Sequence, residues 1–308
     1  MNQPTLIMKK NTRVRLSQVT KLLVLTAFFL IQSQFSFSQQ HIVITPGFMG
    51  PNALPVPEIK TGILPSQLNL KVAFENHSSD GDQTSNFYTE LYVPLQAKKV
   101  GLFVSVVPIE FYNVDEATLL DRKIETTDGK GTAGGDIYVG TYIQLLQNHK
   151  SLPDLLLTIN LRTASGTKLE EARYTDSPGY FFDLSAGKEI ALGSSFLPSM
   201  RLYAMGGLYV YQTHRTDFRQ NDAILYGAGI DLNFNHFVFK NAFGGYSGFV
   251  RDGDRPALVR STLKTTFNSM VNYELGFQKG IADQKYTTVR FGLNFDLSYF
   301  KSLVTNSK

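Results

Sequence analysis

From Gln67 onward the chain alternates apolar and polar residues with period two. Near the C-terminus, Val289, Phe291, Leu293, Phe295, Leu297 and Tyr299 share one parity. Arg290, Gly292, Asn294, Asp296 and Ser298 share the other. Successive side chains of a strand point to opposite faces, so this segment has one apolar face and one polar or small face. The pattern recurs: Leu68, Leu70, Val72 and Phe74 against Asn69, Lys71 and Glu75; Leu155, Leu157, Ile159 and Leu161 against Thr158, Asn160 and Arg162. It recurs again in Tyr180–Gly187, Ile224–Phe234 and Val271–Phe277, and strands also read near Phe87–Val93, Gly101–Phe111, Gly135–Leu145 and Val259–Phe267. Ser199–Gln212 and Phe237–Phe249 alternate poorly. The sum is about twelve strands of roughly ten residues, the length a tilted strand needs to cross a bilayer, where soluble strands average about 5–6.

The connections sort by length. A long, polar set contains His77–Ser85, Asn113–Ala133, Ser165–Pro178, Thr213–Asn221 and Arg251–Ala257. A short set contains Gln96–Lys99, Asn148–Pro153, Gly193–Pro198, Asn235-His236 and Asn268–Met270. The two sets alternate along the chain, as periplasmic turns and outer loops do in outer-membrane barrels. The fold expected is therefore all-β: a single transmembrane antiparallel up-and-down β-barrel spanning 66–300, in the outer membrane of a Gram-negative type of cell.

The rest of the chain fits export. Residues 1–38 read as a signal peptide, with Lys9, Lys10, Arg13, Arg15 and Lys21 preceding the apolar run Leu22–Ile31, and Ser36-Phe37-Ser38 before a cleavage point at Gln39. These five basic residues account for the excess of 30 Lys+Arg over 26 Asp+Glu, leaving the remainder at about −1, so the basic balance is no argument for nucleic acid. With no cysteine there is no disulfide, thiolate metal site, Cys nucleophile or lipoprotein anchor. His41, His149, His214 and His236 lack metal-ligand spacing, and neither metal nor cofactor is expected. Residues 39–65 hold Pro46, Pro51, Pro55, Pro57 and Pro65, which cannot donate to a ladder, and read as an irregular arm or plug. Its Ile42, Phe48, Met49, Leu54, Val56 and Ile59 favour docking over a solvated tail. We expect the arm to enter the lumen from the periplasmic end. Residues 301–308 form a tail.

The segment Arg290-Phe291-Gly292-Leu293-Asn294-Phe295-Asp296-Leu297-Ser298-Tyr299-Phe300 resembles the C-terminal signal by which barrels are recognised for insertion, although Lys301–Lys308 follow the aromatic end. Gly134-Gly135-Asp136-Ile137-Tyr138-Val139-Gly140 and Leu161-Arg162-Thr163-Ala164-Ser165-Gly166 resemble the strand-loop texture of porin-like barrels grouped with phenol-degradation meta-pathway proteins. The resemblance covers nearly the whole mature chain. It implies outer-membrane lipid and the barrel-assembly machinery as partners, and it carries no catalytic residues.

The chemistry-bearing residues on the polar parity are Lys71, Glu75, Glu90, Asp136, Arg162, Asp183, Asp231, Arg260, Lys264, Glu274, Arg290 and Asp296. Facing the lumen, they either tune a water-filled pore or tie up the interior as pairs. The first outcome makes the chain a passive channel or small-solute transporter; the alternative is a scaffold barrel of a secretion or surface complex. His77 and Ser79 share a strand face, which resembles the His-Ser pair of outer-membrane phospholipases and makes a lipid-acting outer-membrane hydrolase a further alternative. The only Asn available in the segment that should orient the His is Asn86, at the wrong spacing, so no enzyme is expected. Asp80-Gly81-Asp82 and Asp252-Gly253-Asp254 suit hairpin tips more than Ca²⁺. Tyr88, Tyr92, Tyr112, Tyr180, Tyr226 and Tyr299 suggest interfacial girdles.

Overall fold

The computed structural model describes residues 45–96, 99–122, 124, 128–213 and 221–299. The expected leader, residues 39–44 of the arm, His41, His214, most of the loop 213–221, Phe300 and the tail lie outside the described residues.

Among the described residues the strands are β1 (Asn69–Ser79), β2 (Asp82–Gln96), β3 (Val100–Val114), β4 (Lys130–Ala133), β5 (Tyr138–Leu146), β6 (Asp154–Arg162) and β7 (Gly179–Ala191). They continue with β8 (Ser199–Tyr211), β9 (Asn221–Asn233), β10 (Phe237–Ser247), β11 (Ala257–Thr265), β12 (Val271–Ala282) and β13 (Thr287–Asp296). Every pairing is antiparallel; all join chain neighbours apart from the β1–β13 closure and the pairing of β3 with β5 beside the short β4. β1 pairs with both β2 and β13, in register from Asn69↔Asp296 to Ser78↔Thr287, so twelve strands close into a ring. β4 pairs with Glu110–Asn113 on the same edge of β3 whose Val100–Ser105 stretch pairs with β5, and so continues the wall beyond β5.

Alternation sets the two surfaces. Outward side chains are apolar and bare to solvent: Leu275 is 55% exposed, its cross-strand partner Phe291 52% and Phe277 49%. Inward neighbours Glu274, Asn294 and Lys71 are buried. A water-soluble protein inverts this arrangement. An apolar outside around a charged inside belongs in a bilayer, where closure also leaves no backbone edge unpaired.

Three expectations change. His77–Ser85 is not a loop: β1 and β2 run into a two-residue turn, where Gly81 adopts φ +73. The strands continue because their inward side chains find partners beyond the apolar zone. Asn113–Ala133 is not featureless: it holds the end of β3, α1 (Glu116–Asp121) and β4. Asp115 caps α1, accepting from the Thr118 amide at 2.8 Å. β5 begins at Tyr138, which leaves Asp136 in the loop before it.

The poor alternation of two segments has a physical cause. β8 turns Tyr203, Met205, Tyr209 and Tyr211 inward, where polar residues would be expected, and these side chains are buried. In β10 the inward Gly244 is small because Ile59 of the arm lies against it. A Cβ on Gly244 would meet Ile59 Cδ1 at 2.4 Å, and one on its partner Gly227 would meet the same atom at 2.3 Å.

The arm runs the length of the lumen. At the long-loop end, the Gly47 amide donates to Gly253 O and the Gly50 amide to Ala172 O. Farther down, Tyr246 donates to Leu54 O and Arg260 to Val56 O. At the short-turn end, Arg201 donates to Thr61 O and Gln144 to Gly62 O. The described arm thus starts at the outer rim and descends to β1.

Two outcomes follow. Leu275→Arg should cost about 2–4 kcal/mol for a charge near the bilayer midplane, measured by urea titration of the heat-modifiable band, while Leu275→Phe should stay near zero. Because the chain has no cysteine, single cysteines report sidedness: Phe48→Cys should react with impermeant maleimide on whole cells, and Ser66→Cys only after the outer membrane is opened. The reverse pattern would invert the orientation.

Candidate functional site

The lumen is divided between a densely packed outer half and a more open inner half. The outer half is built around Arg173, which the loop between β6 and β7 folds inward; its side chain is 0% exposed. Arg173 Nε donates to Glu110 Oε1 at 2.7 Å, its Nη1 to Asp82 Oδ2 at 3.0 Å and its Nη2 to Thr84 Oγ1 at 2.8 Å. Arg122, just after α1, donates to the same Asp82 oxygen at 2.7 Å, and the Tyr286 hydroxyl does so at 2.6 Å. Asn52 of the arm reaches Glu110 at 2.6 Å and Asn86 at 3.0 Å. A buried guanidinium is tolerable only with such partners. An apolar cluster packs beside it: Met49, Leu54 and Val56 of the arm with Tyr112, Tyr209 and Tyr246 of the wall.

Below this cluster the arm meets paired charges. Glu58 lies between Arg290 (3.1 Å) and Lys71 (3.9 Å). Lys71 pairs with Glu274 at 2.7 Å, and Arg290 pairs with Glu75 at 2.5 Å. A cavity of about 150 Å³ lies on the outer side of Glu58, lined by arm prolines, Phe103, Tyr138 and Phe181. A chamber of about 420 Å³ lies toward the short turns, and Glu58, Lys60, Glu90 and Arg260 line both spaces.

The expected lumen residues divide as follows. Lys71, Glu75, Glu274 and Arg290 form one network around Glu58. Glu90 accepts from Tyr88, Arg260 donates to Gln278, Lys264 donates to Asn294 and Asp231 accepts from Tyr203. Arg162 and Asp136 form a separate buried pair at 2.7 Å near the outer rim, where burial pushes the Asp136 carboxyl up and Arg162 opposes the shift. Asp183 is buried across from Thr158 with no hydrogen-bond partner, and Asp296 is buried at the short-turn end.

The girdle reading is corrected for half its members. Tyr180 is exposed and Tyr226 packs against the outward Phe243. Tyr88, Tyr92 and Tyr112 instead point inward: Tyr88 onto Glu90, Tyr92 onto Pro65 O, and Tyr112 beneath Arg173 at 4.8 Å. Tyrosine suits this interior because the ring fills volume while the hydroxyl finds a partner.

His77 faces the lumen and is buried. Asn86 Nδ2 donates to Glu75, so its Oδ1 accepts from His77 Nε2, at 2.8 Å. Nδ1 meets Thr288 Oγ1 at 2.8 Å. Both ring nitrogens are therefore engaged away from Ser79, and no base–nucleophile contact forms. Among the described residues no cluster of His, Asp and Glu offers a metal site.

The loop residues Arg122 and Arg173 escaped the sequence reading because strand parity does not apply to loops. Glu110, Asp154 and Arg201 stand on strands with inward parity and were legible. Arg201 pairs with Asp154 at 2.7 Å.

No family model matches the chain, and no curated protein matches it. Solved structures similar to it include the KdgM porin (10% identity over 73% of this chain and 98% of that one, TM-score 0.45). They also include the NanC porin (10%, 74% and 100%, TM-score 0.48) and an outer-membrane channel from Pseudomonas putida F1 (14%, 75% and 95%, TM-score 0.49).

Arg173→Ala leaves Glu110 and Asp82 buried without their main partner and should destabilise the barrel by about 3–5 kcal/mol. Urea unfolding measures this, and Glu110→Gln in the same chain should restore part of the loss. An unchanged midpoint in Arg173→Ala would show that the network contributes nothing.

Proposed function

We propose that this chain is an outer-membrane conduit for a small solute, passive in operation and held shut by its own N-terminal arm. One observation carries the reading: the arm is fastened inside the ring by bonds that are no part of the β ladder. Arg260 holds Val56 O, Arg290 and Lys71 hold Glu58, and Arg201 and Gln144 hold Thr61 and Gly62. Such bonds exchange with water and solute, whereas the ring has its own closure through β1 and β13. The arm can therefore shift while the barrel stays folded. The inner chamber is a ready vestibule on one side of it.

The scaffold alternative draws support from the dense outer half, since a barrel that never conducts has every reason to pack its lumen. The resemblance to the phenol-degradation meta-pathway barrels adds a family expectation without naming a solute. We also assign β13 the role of presenting the chain to the barrel-assembly machinery, because its outward face carries the apolar alternation that resembles the insertion signal.

Planar-bilayer recording separates conduit from scaffold. Intact protein should show brief, infrequent openings. Gly227→Leu, which removes the room that Ile59 occupies, should lengthen them severalfold, and removal of residues 45–64 should give a steady open level. A silent barrel in all three forms, each still heat-modifiable, would leave the scaffold reading standing.

A further inference from the structure

The chamber of about 420 Å³ carries more positive than negative charge. Five cationic side chains line it (Lys60, Lys71, Lys240, Arg260 and Lys264) against three carboxylates, Glu58, Glu90 and Glu274. Pairing uses the carboxylates unevenly and so concentrates that excess on particular side chains.

Lys264 shows why. Its cross-strand partner is Glu274 on β12. Glu274 turns instead to Lys71, at 2.7 Å, and lies also 3.7 Å from Arg290. Lys264 is left with the neutral Asn294 Oδ1 at 3.3 Å. Lys240, diagonal to Lys264 across β10 and β11, has only a loose pair with Asp231 at 3.6 Å. Arg260 is held by Gln278 Oε1 at 2.8 Å and by a backbone carbonyl, both neutral. Lys60 lies over the rings of Tyr142 and Phe103, at 5.0 and 5.8 Å. Among the described residues, Lys60, Arg260 and Lys264 thus have no carboxylate within ion-pair distance, and Glu90 is the one lining carboxylate without a cationic partner.

A lumen charge without a counter-charge is held at an energetic disadvantage that an anion relieves. Ammonium and guanidinium groups converging on a partly enclosed space are the donors that carboxylates and phosphates bind through charge-assisted hydrogen bonds. At roughly 30 Å³ per liquid water molecule, the chamber has room for a solute of several heavy atoms. We propose that this chamber is a binding site for a small oxyanion, a carboxylate or a phosphate, and that it makes the barrel anion-selective. Lys264 and Lys240 contact the anion from the wall, and Lys60 contacts it from the arm. The proposal names the solute class of the conduit described above and rests on that reading for its selectivity claim, though not for binding.

Calorimetry on the full chain in detergent, at low ionic strength, tests binding with inorganic phosphate, citrate and, as a neutral control, glucose. Phosphate or citrate should bind and glucose should not; which of the two binds more tightly separates a phosphate from a carboxylate site. Lys264→Met and Lys240→Met should each weaken the anion about tenfold, the loss of one charge-assisted contact. Lys279→Met, exposed at the outer rim, should leave affinity unchanged. If Lys264→Met fails to give a heat-modifiable band, Lys264→Arg, which keeps the charge, should bind as the parent does, and Lys240→Met still carries the test. Absence of heat with both anions, or unaltered affinity in folded Lys264→Met and Lys240→Met, overturns the site. Reversal potentials in a KCl gradient form the second arm: anion selectivity supports the proposal, and cation selectivity overturns its selectivity claim. Anion binding in a barrel that never conducts would sink the conduit reading and leave the site intact.

Discussion

Closure of the ring is the constraint on which everything else depends. In hydrocarbon no water is present to satisfy a free amide or carbonyl, and each unmet group costs several kcal/mol. The pairing of β1 with β13, continuous from Asn69↔Asp296 to Ser78↔Thr287, removes the last open edges. Once the ring closes, parity is fixed around all twelve strands: one face must suit lipid, and the other encloses whatever remains.

What remains is a volume problem. A ring of twelve strands lies between barrels that wall residues alone can fill and barrels that stay open to water. This chain fills the outer half with material that is not wall: arm residues such as Met49 and Leu54, and loop residues such as Arg173. The wall has adapted in return. Gly227 and Gly244 leave a hollow for Ile59, and Gly50 of the arm lies so near the Arg173 guanidinium that a Cβ there would come within 2.6 Å. Toward the short turns the filling thins, charges outnumber their partners, and the chamber opens.

The charged interior is consequently heterogeneous. Near the outer rim the buried carboxylates are well supplied: Asp82 accepts from two arginines and Tyr286, and Glu110 from Arg173, Asn52 and Tyr174. Around Glu58 the pairs are shared between arm and wall, so moving one disturbs the other. In the chamber the sharing fails, because Glu274 serves Lys71 and leaves Lys264 with an amide. That gradient from saturated to unsaturated charge runs parallel to the arm, and it links packing to the proposed conduction.

Alternation alone determined the architecture. Period two over segments such as Val289–Tyr299 specifies a strand, its length specifies a crossing, and an apolar parity opposite Arg290 and Asp296 specifies which face meets lipid; all of this is local. Where the inner face is built of Tyr203 and Tyr209, or of Gly227 and Gly244, the local signal fades, because those residues answer to what lies inside the barrel. The partners of Arg122 and Arg173 were illegible for the same reason: a loop has no parity, and Asp82 and Glu110 lie tens of residues away in the chain. The sequence by itself determined the ring and its two faces, since these follow from side-chain spacing along one strand. Only the tertiary structure decided which carboxylate each cation takes and where positive charge is left over, since those choices depend on distances across the lumen.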